Sequence, residues 1–179
     1  MSKKVVVIST SLRGNSNSEQ LARSFAKGAE DAGNSVEFIS LKGKNIGFCI
    51  GCLACQSKGE CVIKDNALAI EQAVLNADVV AFSTPIYYYE MSGQMKTLLD
   101  RMNSLYPKDY RFRDVYMLSV AAEDEDYTPK RAESGLQGWI DCFEKAELKG
   151  TLFVGGMNDP NDINGNEKLN KAHEMGKRV

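Results

Sequence analysis

Four of the chain's five cysteines, Cys49, Cys52, Cys55 and Cys61, fall within thirteen residues in the spacing C-x2-C-x2-C-x5-C. Thiols this dense along a chain seldom serve packing alone. The x2 gaps bring three sulfurs within reach of one small inorganic object, and a fourth Cys nearby completes the style of set that cradles a [4Fe–4S] cluster. Structural zinc sites more often draw on two separated ligand pairs. The ferredoxin run closes with x3 and a Pro, whereas here the last gap is x5 and Val62 follows. The competing reading is four reduced thiols, or one incidental disulfide, lining a loop. The fifth cysteine, Cys142, falls in the helical pattern Leu136, Trp139, Ile140, Phe143 and is expected in the core.

A second set of candidates is polar. Ser9-Thr10-Ser11-Leu12-Arg13-Gly14-Asn15-Ser16-Asn17-Ser18 is rich in hydroxyls, carries one Arg and opens a helical pattern. Free N–H groups and the positive dipole end at a helix N-terminus suit a phosphate. Arg13 can offset a dianion's charge. Both G-x-G-x-x-G and G-K-[ST] are absent, so neither a dinucleotide fingerprint nor a P-loop is present. A monophosphate such as that of FMN fits better; the alternative is an ordinary polar loop with a capping serine. In Thr84-Pro85-Ile86-Tyr87-Tyr88-Tyr89-Glu90, three consecutive tyrosines cannot all point inward. Some ring surface must lie at a rim, where it could flank a planar heterocycle, cap a helix or meet a second copy. Ala121-Ala122 opens a third loop with small side chains that let a ligand approach backbone, and the acidic run Glu123–Asp126 after it reads as solvated. The single histidine, His173, lies far from these loops in sequence, so no Ser–His or Cys–His relay is in view and hydrolysis is disfavoured. Flavin chemistry needs no such relay, and no side chain is assigned a catalytic role.

Alternating strand-like and helix-like segments would position these loops. Val5–Ile8 reads as a strand buried on both faces. Ser16 to Ala29 reads as a helix with Leu21, Phe25 and Ala29 on one face and a capping box from Ser16 and Glu19. Val36, Phe38 and Leu41 suit an edge strand. Residues 42–65 form a long cysteine-bearing connection, and loops of that length inside a compact domain are usually functional. A helix with Leu68, Val74 and Leu75 follows. Then come a strand at Val79–Phe82, a helix from Met91 to Leu105, a strand at Val115–Val120, a helix through Trp139, a strand at Leu152–Val154 and a polar helix near Glu167–Gly176. This succession predicts an α/β, doubly wound, five-stranded parallel sheet of flavodoxin-like order 2-1-3-4-5 with helices on both faces. In such sheets ligands bind beyond the carboxyl ends of the strands, at the switch between strands one and three. Ser9–Asn17, Thr84–Glu90 and Ala121–Tyr127 are the loops placed there.

With 179 residues, the chain is expected to form a single domain over 1–179. Apolar content of 43%, charged content of 26% and a net charge of −2 are ordinary for a globular protein and point to no nucleic acid or anionic membrane partner. Apolar runs fall far short of the roughly 20 residues that span a bilayer. Met1-Ser2-Lys3-Lys4 leads into too short an apolar stretch for a signal peptide, so a cytoplasmic location is expected. A reducing compartment tilts the cysteine run toward metal or redox use.

Thr10-Ser11-Leu12-Arg13 with Ser16-Asn17-Ser18, and Thr84-Pro85-Ile86-Tyr87-Tyr88 with Ser92-Gly93-Gln94-Met95-Lys96 and Leu99-Asp100-Arg101, resemble the NADPH-dependent FMN reductase group of flavodoxin-like proteins. The cysteine run ahead of Val62-Ile63-Lys64-Asp65 is similar to the iron–sulfur flavoproteins within that group. The likeness implies noncovalent FMN, reduction by NAD(P)H or a ferredoxin-like donor, a small-molecule or protein acceptor, and a homodimer or homotetramer. It places the phosphate on Ser11, Arg13, Ser16, Asn17 and Ser18 and the ring against Pro85, Ile86, Tyr87 and Tyr88. Ser9 in the first loop, and Ala121 and Ala122 in the third, join them as candidate cofactor-binding residues, the ring expected to lie against the Ala121-Ala122 turn as well. It also implies a [4Fe–4S] cluster on Cys49, Cys52, Cys55 and Cys61. An electron carrier using that cluster, or a non-catalytic module with structural zinc, are the alternatives.

Overall fold

The β-branched run near the chain's start is buried on both faces, and the architecture follows from covering it. In a computed structural model describing residues 2–179, Lys4–Ser9 forms strand β1, with Val5 through Ile8 wholly buried. Ser35–Ser40 (β2) and Val79–Tyr87 (β3) flank it in parallel, pairing Val5 with Val36 on one side and with Val79 on the other. Glu90–Met91 (β4) turns back antiparallel on the end of β3. Asp114–Val120 (β5) and Glu147–Val154 (β6) extend the sheet in parallel, giving the spatial order β2-β1-β3-β5-β6.

The expected five strands in order 2-1-3-4-5 therefore need correction, because among the described residues the sheet has six strands and β4 lies off the main path. The physical reason is the length of β3. It continues past Phe82, through Pro85, and folds over at Tyr88-Tyr89 so that Tyr87 pairs with Glu90.

Alternation along the strands feeds two apolar layers. Val5, Val7, Val79 and Ala81 face Leu21, Ala22 and Phe25 of helix α1 (Asn17–Asp31). Helix α6 (Glu167–Lys177) joins that layer through Ala172. Val6, Ile8, Val80 and Phe82 face the other way, toward helices α3 (Ala67–Leu75), α4 (Gly93–Arg101) and α5 (Lys130–Ile140). A short helix, α2 (Ala54–Lys58), sits in the cysteine-bearing connection, and a 3-10 turn at Met102–Leu105 continues α4. Helices α1 and α6 cross closely because Gly28 lies against the backbone of His173 and Gly176 against that of Phe25, where a Cβ on either would clash.

Cys142 is not in the core. Helix α5 ends at Ile140, so Cys142 falls outside its periodic face and is exposed, while Leu136, Ile140 and Phe143 are buried as their spacing predicts. Among the described residues, no helix is long and apolar enough to cross a membrane.

Candidate cofactor site

Ser16 takes an extended conformation (φ −65°, ψ 133°) and caps α1, its Oγ accepting from the Glu19 amide at 3.4 Å. Only half of the expected capping box forms. The Glu19 carboxylate turns to Arg23 instead, 2.7 Å from Nη2. The Asn17 and Ser18 amides meet no acceptor among the described residues, so the first turn keeps free N–H donors. The Ser16 and Ser18 hydroxyls lie 3.0 Å apart beside them. The carboxylates near this loop leave those amides alone. Asp162 accepts from the Asn158 and Asp159 amides at 2.9 and 2.7 Å. Asp159 stands 3.8 Å from the Arg13 guanidinium.

Arg13 lies half-exposed at the rim, and its Nη1 donates to the Asn158 carbonyl at 2.9 Å. Asn17 is differently employed. Its Nδ2 donates to Asp159 O at 2.8 Å and its Oδ1 accepts from the Ile163 amide at 3.3 Å, which ties α1 to the loop after β6. Ser11 Oγ accepts from the Arg13 amide at 3.3 Å. Ser9 is fully buried at the end of β1, and its hydroxyl has no partner among the described residues. Behind the loop, Thr10 Oγ1 donates to Ser83 O at 3.0 Å and Ser83 Oγ to Ser18 O at 2.7 Å, locking the ends of β1 and β3 to α1.

A cleft of about 210 Å³ opens at the carboxyl ends of the strands, where the sheet order switches direction. Arg13, Ser16, Asn17 and Ser18 line one end of it, and Pro85, Ile86 and Tyr87 the other. Ala121 and Ala122 close a third side. Ser9 and Ser11 are buried outside this lining, and Tyr88 stands away from it, 97% exposed. Met157 and Asn158 form a fourth side that the sequence reasoning missed. The only local signal for them was the Gly155-Gly156 pair after β6. There Gly156 adopts φ +72°, and Gly155 lies so close to Asp124 that a Cβ would clash.

The hairpin joining β3 to β4 is strained. Tyr88 and Tyr89 have φ of 50° and 66°, the positive values a two-residue hairpin turn demands. Asn and Gly adopt them easily; a bulky side chain loses roughly 1–2 kcal/mol per residue.

The cysteine connection is pinned at its roots. Arg101 at the end of α4 donates to Gly47 O at 2.8 Å and to Ile63 O at 3.0 Å. It also forks onto Asp65 at 2.6 and 3.0 Å. Burial pushes the guanidinium toward losing its proton, but Asp65 and Cys61 outweigh it and hold the charge more firmly than usual. Cys49 and Cys52 are exposed, Cys55 and Cys61 half-buried, and none is paired in a disulfide among the described residues. All four line one void of about 20 Å³, with Asn103 Nδ2 3.4 Å from Cys55 Sγ. Among the described residues, no three Cys, His, Asp or Glu side chains converge as a metal site.

These observations set how well each group fits. A phosphate monoester matches the free amides, hydroxyls and Arg13 at one end of the cleft, and a planar ring matches the strand-end backbone and small side chains at the other. The thiols match an iron–sulfur cluster in donor type and in facing one void, which is too small for the cluster as folded.

Residues 3–144 match the family of NADPH-dependent FMN reductases. An iron–sulfur flavoprotein of Archaeoglobus fulgidus is 36% identical over 99 residues, 55% of this chain and 45% of that protein. One from Methanosarcina thermophila is 26% identical over 154 residues, 85% of this chain and 77% of that protein. The chain spans about half the length of the first curated relatives it matches, 45% and 53%. Among solved structures, the NAD(P)H:quinone oxidoreductase from Methanothermobacter marburgensis superposes with a TM-score of 0.77 at 18% identity, covering 99% of this chain and 96% of that one. An FMN-dependent NADH-azoreductase from Bacillus anthracis in complex with FMN gives 0.69 at 15%, covering 98% of each chain. Those two identities speak for the fold alone, which is flavodoxin-like. With 142 of its 179 residues matched, the chain belongs to the NADPH-dependent FMN reductase family.

Proposed function

We propose that this chain, acting as one FMN-binding domain, is an oxidoreductase that takes electrons from NAD(P)H or a ferredoxin-like donor and delivers them to a small-molecule or protein acceptor. The observation that carries this reading is the single cleft with free helix amides, Ser16, Ser18 and Arg13 at one end and Pro85–Tyr87 with Ala121-Ala122 at the other. FMN, when bound, supplies the electron transfer itself. The Asn17 and Ser18 amides and the two serine hydroxyls would receive its phosphate, and Arg13 would balance its charge. Pro85, Ile86 and Ala121 would exclude water from one side of the ring. Exposed Phe48, Ile50 and Leu53 leave apolar surface suited to a second copy, so a homodimer or homotetramer is the proposed assembly. The free thiols fit a reducing cytoplasm.

The test is anaerobic addition of NADH or NADPH, and separately of a reduced ferredoxin, to the FMN-loaded chain. Bleaching of the flavin band by either supports the reading. A bound flavin that neither donor bleaches contradicts it.

A second reading is favoured by the spacing of the four thiols and by relatives named iron–sulfur flavoproteins, and it requires the cysteine connection to open, because the void the thiols line is too small for a cluster. Cys49, Cys52, Cys55 and Cys61 would then hold a [4Fe–4S] cluster, which supplies one-electron transfer. Iron and sulfide near four each per chain after anaerobic reconstitution would support it. One zinc and no sulfide would favour the structural-metal alternative.

A further inference from the structure

Glu123 opens the acidic run that reads as solvated, yet it is only half-exposed and holds hydroxyls from two directions. Thr128 Oγ1, itself buried, donates to Glu123 Oε2 at 2.9 Å. The Tyr127 hydroxyl donates to Oε1 at 3.2 Å, and that of Tyr89 reaches the same oxygen at 3.5 Å. The Tyr89 and Tyr127 rings lie 6.1 Å apart. Glu123 directly follows Ala122, and Tyr89 stands two residues after Tyr87, so the contact joins two loops that line the cleft. It does so at the strained turn, where Tyr88 and Tyr89 both hold positive φ. Residues kept in such conformations cluster at functional sites. The turn directly follows Tyr87, which lines the cleft, and leaves the Tyr88 ring in solvent while the rings of Tyr87, Tyr89 and Tyr127 stay partly exposed. Aromatic faces stack on planar π-systems, and the Glu123 carboxylate is occupied by hydroxyl donors.

We propose that Glu123 is a positioning residue for acceptor choice: by clasping Tyr89 to Tyr127 it fixes a tyrosine rim that receives planar aromatic acceptors of the quinone class. This rests on the reading of the cleft as an FMN site. Glu123 touches neither cofactor nor acceptor and acts through the hairpin.

The experiment is reoxidation of the dithionite-reduced, FMN-loaded full chain by a 1,4-naphthoquinone or by ferricyanide at varied concentration. Glu123→Ala should raise the half-saturating quinone concentration about fivefold, the scale of one net hydrogen bond, with the limiting rate kept. Glu123→Gln, whose amide oxygen still accepts, should stay near the parent. Ferricyanide, which offers no ring to stack, should not discriminate between them. Because Glu123→Ala also strands the buried Thr128 hydroxyl, Tyr89→Phe combined with Tyr127→Phe serves as the second variant and should reproduce the quinone effect. An unchanged quinone profile in both variants, or equal shifts for the two acceptors, overturns the clasp while leaving the FMN site standing. A parent chain that binds no FMN overturns both.

Discussion

Arg101 Nη1 lies 2.6 Å from Asp65 Oδ2 with both side chains all but shut from solvent, and this pair fastens both roots of the cysteine connection at once. The guanidinium reaches Gly47 at one root and Ile63 at the other, while Asp65 accepts from the Gly47 and Ala67 amides at 2.8 and 3.0 Å. One buried ion pair thus sets residues 47–65 against the end of α4. Removing either partner leaves a buried charge unmatched, which costs roughly 3–5 kcal/mol. Arg101→Met and Asp65→Ala should each lower the denaturation midpoint accordingly and make Cys55 and Cys61 react faster with a thiol reagent. Parent-like midpoints would show that the pair contributes little.

The same pair predicts an acid limit. Burial pushes Asp65 upward, but the bonds from Arg101, Gly47 and Ala67 outweigh it and hold the carboxyl below its ordinary 3.8. A carboxylate that is a weaker base folded than unfolded stabilises above the unfolded value, and that contribution fades as pH falls through the folded one. Thiol reactivity of the connection, followed after acid pulses returned to one assay pH, should stay flat down to about pH 4 and rise below it. A rise already at pH 5 to 6 would assign the limit to another group.

Among the described residues lining the cleft, Arg13 is the one cationic side chain, and it is half-exposed. Exposure weakens its contribution, so Arg13→Ala should reduce FMN affinity by about tenfold, near the lower limit for a bond to a charged group. Fluorescence titration measures it directly. An unchanged affinity would mean that the amides and serines hold the phosphate without it.

Where α1 and α6 cross, Gly28→Ala has no room, because the new Cβ would meet the His173 carbonyl. Overpacking of this kind costs roughly 1–3 kcal/mol. Gly138→Ala, in open space on α5, should be neutral or slightly stabilising. Thermal melts of the two variants should therefore diverge from the parent in opposite directions, or the first alone should fall.

Periodicity made the two-layered sheet legible. Val5–Ile8 reads as a doubly buried strand because each side chain meets a helix, and Ser16 with Glu19 marks the start of α1 because capping is a local bond. The loops bearing Arg13, Pro85 and Ala121 could be placed together because a parallel sheet delivers every strand end to one edge. What escaped depends on contacts remote in sequence. Asn158 reaches Arg13 across 145 positions, and Arg101 reaches Asp65 across 36. The β4 hairpin escaped for a different reason. Tyr-Tyr carries no turn signal, and its positive φ values go with the pairing of Tyr87 and Glu90 across a two-residue turn rather than with intrinsic preference. Cys142 was misplaced because its apolar neighbours outlast the helix, which stops at Ile140.

If the N-terminus of α1 takes a phosphate ester while the cleft beyond it takes a planar ring, a paired titration of the purified chain with FMN and with riboflavin separates the two contributions. Quenching should saturate at one FMN per chain, with riboflavin, identical in its ring but lacking the phosphate, bound at least tenfold more weakly. Equal affinity for the two, or no quenching by FMN, would contradict that placement.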